Sequence, residues 1–160
     1  MLRTLPLLLS IAVSTCAYAA DGPPISATAK AMASAYVEGL KKMVRGNETT
    51  AAELACVDRI PGTAVEAAMQ NAIDQALNAD ERAEMERFYA SPEGLRVFAL
   101  YNRWGDTQNP PSAAELEDIL PLVKSPVQTK LLDATSFQSL GPAEALRALQ
   151  PLLARCSGPG

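Results

Sequence analysis

Apolar side chains recur every three to four positions along most of this chain, in short runs cut off by proline, glycine or a capping residue. Ser26 reads as the cap of a first helix. Met32, Tyr36, Leu40 and Met43 or Val44 follow at helical spacing, Ala29, Ala33 and Val37 widen the stripe, and Lys41, Lys42 and Arg45 suit the dipole of the last turn before Gly46. Thr50-Ala51-Ala52-Glu53 is a capping box for a short second helix carrying Leu54, Cys56, Val57 and Ile60, ended by Pro61-Gly62. Thr63 then reads as the cap of a third helix with Val65, Met69, Ile73 and Leu77 on one stripe.

Asn78-Ala79-Asp80-Glu81 restarts the chain as a fourth helix that buries Met85, Phe88 and Tyr89 and turns Glu81, Arg82, Glu84 and Arg87 to water. At Ser91-Pro92-Glu93 three start signals fall together: a cap, a proline at the first helical position and an acid in the first turn. The fifth helix places Leu95, Phe98, Ala99 and Asn102 on one face, widened by Val97, Tyr101 and Trp104. Gly94 costs about 1 kcal/mol of helix propensity there, so close packing is its expected reason.

Ser112-Ala113-Ala114-Glu115 is a third capping box, ahead of Leu116, Ile119, Leu120 and Val123, with Pro121 expected to kink or shorten the helix. Ser125-Pro126 opens a helix with Leu131, Leu132 and Phe137. Gly141-Pro142 opens a last one with Leu146, Leu149, Leu152 and Leu153, kinked at Pro151. No run alternates apolar and polar residues with β-branched enrichment, so no sheet is expected. The reading is all-α: a compact bundle of seven or eight short helices, forming a single helical domain over 21–160 with frayed ends.

Residues 1–20 fall outside that domain. Arg3, the apolar run over 5–13 and Ala17-Tyr18-Ala19 have the form of a signal peptide with its cleavage site. That run is too short to cross a bilayer, which takes about 20 residues, and no later stretch is long enough. Thr15 suits a lipoprotein site at Cys16 poorly, so the expectation is a periplasmic or secreted protein without lipid anchoring or a transmembrane segment.

The chain has 14 basic and 18 acidic residues, a net charge of −4, and removal of the leader with Arg3 makes it more acidic. That balance offers nothing to nucleic acid or to an anionic membrane surface. The cysteines beyond the leader, Cys56 and Cys156, form in an exported chain a disulfide, which would close a loop of 100 residues.

The chain contains no histidine, which removes Ser-His-Asp and Cys-His catalysis and most transition-metal sites. No phosphate loop or zinc spacing is present. No cofactor or metal is therefore expected. Carboxylates remain, but Glu81, Glu84 and Glu86 are interleaved with Arg82 and Arg87, the pattern of a solvated helix face. The aromatic residues are the other candidates: Phe88 and Phe98 read as core. Tyr101 and Trp104, near a helix end, read as candidate partner-binding residues, with Arg96 and Arg103 on the same surface.

Phe88-Tyr89-Ala90-Ser91-Pro92-Glu93-Gly94 resembles an exported bacterial family, the domain of unknown function 2059. Its hallmark is an aromatic pair, one residue, Ser or Thr, Pro, one residue and Gly, then a basic residue. Phe88, Tyr89, Ser91, Pro92 and Gly94 match, and Arg96 supplies the base. The resemblance implies a helical periplasmic domain and transfers no catalytic residue. The expectation for function is a non-catalytic protein that binds another envelope or secreted protein, in the manner of an immunity-like inhibitor. The alternative is a carboxylate-dependent enzyme acting on cell-wall glycan.

Overall fold

A computed structural model of the chain describes residues 24–45, 49–103, 109–137 and 141–157. Among them lie eight α-helices and no strand: α1 (Ala27–Arg45), α2 (Ala51–Val57), α3 (Glu66–Ala76), α4 (Ala79–Tyr89), α5 (Pro92–Arg103), α6 (Ala113–Val123), α7 (Pro126–Thr135) and α8 (Ala143–Cys156). The expected leader, with Cys16, lies outside the described residues. None of the described helices is long and apolar enough to cross a membrane.

Local capping chemistry sets most of the boundaries. The boxes at Thr50/Glu53, Asn78/Glu81 and Ser112/Glu115 form reciprocally, side chain to backbone in both directions. Ser125 accepts from the Gln128 N–H, with Pro126 at the helix start. Ser91 does two jobs at the α4–α5 corner: its Oγ accepts from the Gly94 N–H at 3.0 Å and donates to the Phe88 carbonyl at 2.7 Å. Gly94 is there for space, because a Cβ at that position would run into the Phe88 carbonyl, whose carbon would be 2.6 Å away.

The centre of the molecule is α1. Ala29, Met32, Ala33, Tyr36, Val37 and Leu40 are all buried, against Met69 and Ile73 of α3, Met85 and Tyr89 of α4, Leu131 of α7 and Leu149 of α8. Each such large side chain contributes about 1.5–3 kcal/mol by leaving water. Cys56 and Cys156 form the expected disulfide, with Cα atoms 5.3 Å apart, joining α2 to the last residue of α8. Gly141, at φ +54, lies against the Tyr36 ring, where a side chain would have neither the backbone freedom nor the room.

Four expectations are corrected. Thr63 does not cap α3: it sits in a 3-10 turn (Gly62–Ala64), and Val65 precedes the helix without a side-chain cap. The buried face of α5 is Gly94, Val97 and Leu100, while Leu95 and Ala99 are exposed. That face is rotated because the tight Gly94–Phe88 approach sets how α5 meets α4. Phe88 and Phe98 are only partly buried, since both lie where separate groups of core residues meet or end. Leu146 is exposed, α8 being turned so that Ala145 and Leu149 face inward.

Glu86 departs from the solvated-face reading in a different way. Its carboxylate reaches α1 across 59 positions of sequence and accepts from the Ala27 N–H at 2.8 Å and from the Thr28 N–H at 3.1 Å. Ser26 is the local cap expected there, accepting from Ala29 N–H at 3.1 Å. Burial works to raise the Glu86 carboxyl, but the hydrogen bonds from Ala27 and Thr28 outweigh it and hold it below the ordinary carboxylate range. An α4 side chain thus completes the start of α1.

Candidate functional site

Alongside this core stands a second, smaller one. Val97 and Leu100 of α5 bury against Ile119 of α6, with Leu116, Leu122 and Val123 partly covered around them. Ile119 is the one α6 residue that is fully buried. Polar contacts hold the start of the helix. The Arg103 guanidinium bonds to Glu115 at 3.0 Å, to the Asn109 carbonyl and side chain, and to the Pro110 carbonyl. The Glu115 carboxyl is held down at about 2 by the Ser112 N–H, then the Ser112 hydroxyl, then Arg103. Arg96 pairs with Asp118 at 3.2 Å on the surface.

Between α6 and the main core lies a cleft of about 550 Å³. One wall is α1, with Met32, Ala35, Tyr36, Gly39 and Met43; the facing wall is α6, with Leu116, Ile119, Leu120 and Val123. Leu132, Thr135, Ser136 and Phe137, with Tyr101 and Asn102 of α5, complete the lining. Met43 is 49% and Leu120 36% exposed, so the lining runs out onto the surface as an apolar rim. Two charged residues, Glu38 and Lys42 of α1, are among the lining. Glu38, the one carboxylate among the lining residues, pairs with Lys41 at 2.8 Å, and Lys42 donates to the Asn102 carbonyl.

A second, small space of about 10 Å³ shares Met32, Tyr101, Val123 and Leu132 with the cleft and is also bounded by Tyr89, Val97, Phe98 and Gln128. Gln128 is 3% exposed and donates from Nε2 to the Tyr89 hydroxyl at 2.5 Å. Burial pushes the Tyr89 phenol up to about 12, against the lowering effect of that bond, and burial also raises Tyr101.

Of the partner-binding candidates, Tyr101 lines both spaces. Arg96 is on the surface in its pair with Asp118, away from the lining. Arg103 is turned onto the 109–115 connection, where it clasps α6. Trp104 lies outside the described residues. Of the three described candidates, Tyr101 alone is among the lining residues of the cleft. Sequence reasoning missed the α1 and α6 walls because Met43, Leu116 and Leu120 read as ordinary core positions of amphipathic helices. Their stripes looked satisfied, and only the fold leaves the two facing each other across a gap. Among the described residues, no three Cys, Asp or Glu side chains come together in a way that could hold a metal ion.

A scan against family models finds no match, and searches of curated proteins and of solved structures find none either.

Proposed function

We propose that this chain is a non-catalytic binding protein of the bacterial envelope, which takes hold of another exported protein through the cleft between α1 and α6. The observation that carries the reading is the cleft itself: mostly apolar walls, an exposed apolar rim at Met43 and Leu120, and two charged residues, Glu38 and Lys42, among its lining. Contiguous exposed apolar surface edged by charge is what partner proteins cover. An inhibitor of the immunity type is the specific form we favour, since small size, acidity and a disulfide suit one; the likeness of the Phe88–Gly94 stretch to an exported helical family supports export alone.

The alternative, a carboxylate enzyme on cell-wall glycan, needs two carboxyl groups about 5–9.5 Å apart across the bond they cleave. The cleft presents Glu38 alone, tied to Lys41, while Glu81, Glu86 and Glu115 serve as helix caps.

Immobilised oxidised protein would be offered envelope extract beside an Ala35→Trp variant, whose ring fills the cleft, and an Arg96→Ala variant, which leaves it intact. Retention of a stoichiometric protein by the native chain and by Arg96→Ala, with loss in Ala35→Trp, is the expected result. Equal retention by all three removes the cleft from the binding surface, and release of soluble fragments from purified cell-wall glycan replaces this reading with the enzyme.

A further inference from the structure

We infer that the Cys56–Cys156 bond is a redox latch on α2: a dithiol that reduces it releases α2 and the last turn of α8, while the core around α1 stays packed. The inference is independent of the cleft, since neither cysteine is among its lining residues.

α2 is weakly built apart from this bond. A helix shorter than about 12 residues does not hold its shape in water by its own hydrogen bonds, and α2 has seven residues. Val57 is its one buried residue; Ala51, Ala52 and Ala55 are exposed, and Glu53 serves its own cap through Thr50. Asp58, at its end, pairs with Arg45 where both side chains are about half exposed, a contact that water screens. Further along, the chain is fastened again. Ile60 is buried, and Gly62 lies so close to α1 that a Cβ would come within 3.2 Å of the Ser34 backbone.

The other end of the bond is built alike. Cys156 is the last residue of α8, and Ala154 and Arg155 before it are exposed, whereas Leu149 two turns earlier is fully enclosed. The bond therefore joins two element ends whose firm attachments lie elsewhere, at Ile60 and Gly62 on one side and Leu149 on the other. Once it is cut, Val57 is left to offset the conformational freedom that the whole of α2 regains. The residues around Met69, Ile73 and Leu131 keep their own neighbours and have no need of α2.

Cys56 is the more exposed of the two cysteines, Cys156 being 9% exposed, so its sulfur is the one we assign to attack. A thiolate of the dithiol bonds to the Cys56 sulfur, the bond to Cys156 breaks, and Cys156 leaves as a thiolate that takes up a proton. The second thiol of the reagent gives up its proton and displaces Cys56. Two electrons and two protons thus pass from the dithiol, which ends as a disulfide, to two cysteines that end as thiols. Exchange with an oxidised disulfide runs these steps backwards and closes the latch.

The test follows amide exchange, without denaturant, in the oxidised protein, in the protein reduced with dithiothreitol, and after re-oxidation with glutathione disulfide. Alkylation of the free thiols reports the state of the bond. We expect protection to be lost at 52–59 and 153–156 on reduction, kept in α1, α3 and α7, and regained on re-oxidation. A Cys56→Ser, Cys156→Ser variant should show the open pattern from the start and no response to dithiothreitol. Protection at 52–59 that is the same before and after reduction means that packing holds α2, and overturns the latch. A fall spread evenly over α1, α3 and α7 makes the bond a staple of the whole fold and overturns it too, as does a bond that dithiothreitol reduces only in denaturant.

Discussion

The two sides of α1 are built differently. Toward α3, α7 and α8 lies the larger group of buried residues: Met69, Leu131 and Leu149 are fully enclosed, and a disulfide joins α2 to α8. Toward α6, one buried isoleucine, a proline-containing helix and surface ion pairs hold the wall of a cleft. Exposed pairs of this kind contribute about 1 kcal/mol or less each. On this contrast the first region is expected to set the global stability and the second to open locally before it. Binding surfaces are drawn from the weakly held part of a fold because apolar residues left without a neighbour inside the chain are free to find one outside it.

The disulfide gives the largest expected effect. Replacing Cys56 and Cys156 by serine should lower the unfolding free energy by up to about 4.7 kcal/mol, the chain-entropy value for a loop of 100 residues. Urea unfolding measures it. A change of under about 1 kcal/mol would mean that packing alone ties α2 to α8.

Next comes a matched pair. Leu131→Ala should cost about 2–5 kcal/mol, whereas Ile119→Ala should cost less than half of its partner's value, because α6 can detach and leave no cavity in the main core. Amide exchange should show α6 opening locally in the second variant while α1 and α3 keep their protection. Equal costs, with uniform exchange, would break the distinction drawn between the two sides.

Gly94→Ala tests the corner from which the α5–α6 side departs. Propensity alone would make alanine better by about 1 kcal/mol. The clash with the Phe88 carbonyl reverses the sign, and a loss of about 1–3 kcal/mol is expected in thermal unfolding. A gain would show that the corner relaxes freely.

The smallest effect concerns pH. The folded Glu115 carboxyl sits at about 2, lowered from an ordinary 4.5, so it favours the α6 start above pH 4.5, and that contribution is lost as pH falls toward 2. Amide exchange at 113–116 should accelerate across this window before the α3 amides respond. Glu115→Gln should make it fast throughout and flatten its dependence on pH. A variant whose α6 keeps the native profile would place the sensitivity elsewhere.

Helix positions were legible because their signals are local. The boxes read at Thr50/Glu53, Asn78/Glu81 and Ser112/Glu115 close their hydrogen bonds inside one turn, and all three formed, whereas Thr63, with Glu66 three residues on, was taken into a 3-10 turn and caps nothing. The all-α class followed from apolar spacing, and the disulfide from two cysteines in a chain read as exported. The stripe Val65, Met69, Ile73 and Leu77 is buried throughout because it faces the centre of the bundle. Where only the fold could decide, the cause lay far away in sequence. The face of α5 was turned by one carbonyl of α4, Glu86 was drawn from a solvent-facing pattern to cap α1 at a distance of 59 positions, and Leu146 lost its place to Ala145.

The cleft belongs to the same class. An amphipathic stripe states that a side chain is apolar, and Leu116, Leu120 and Met43 satisfy that pattern as well as any core residue. Whether such a face meets a neighbour is a matter of how helices are oriented in space, which no spacing of three or four residues encodes. The sequence by itself determined the helices, their caps and the cross-link, each by chemistry acting within a turn or between two reactive groups. The tertiary structure alone decided that α1 and α6 stand apart, and so which apolar residues of this protein line a cleft rather than a core.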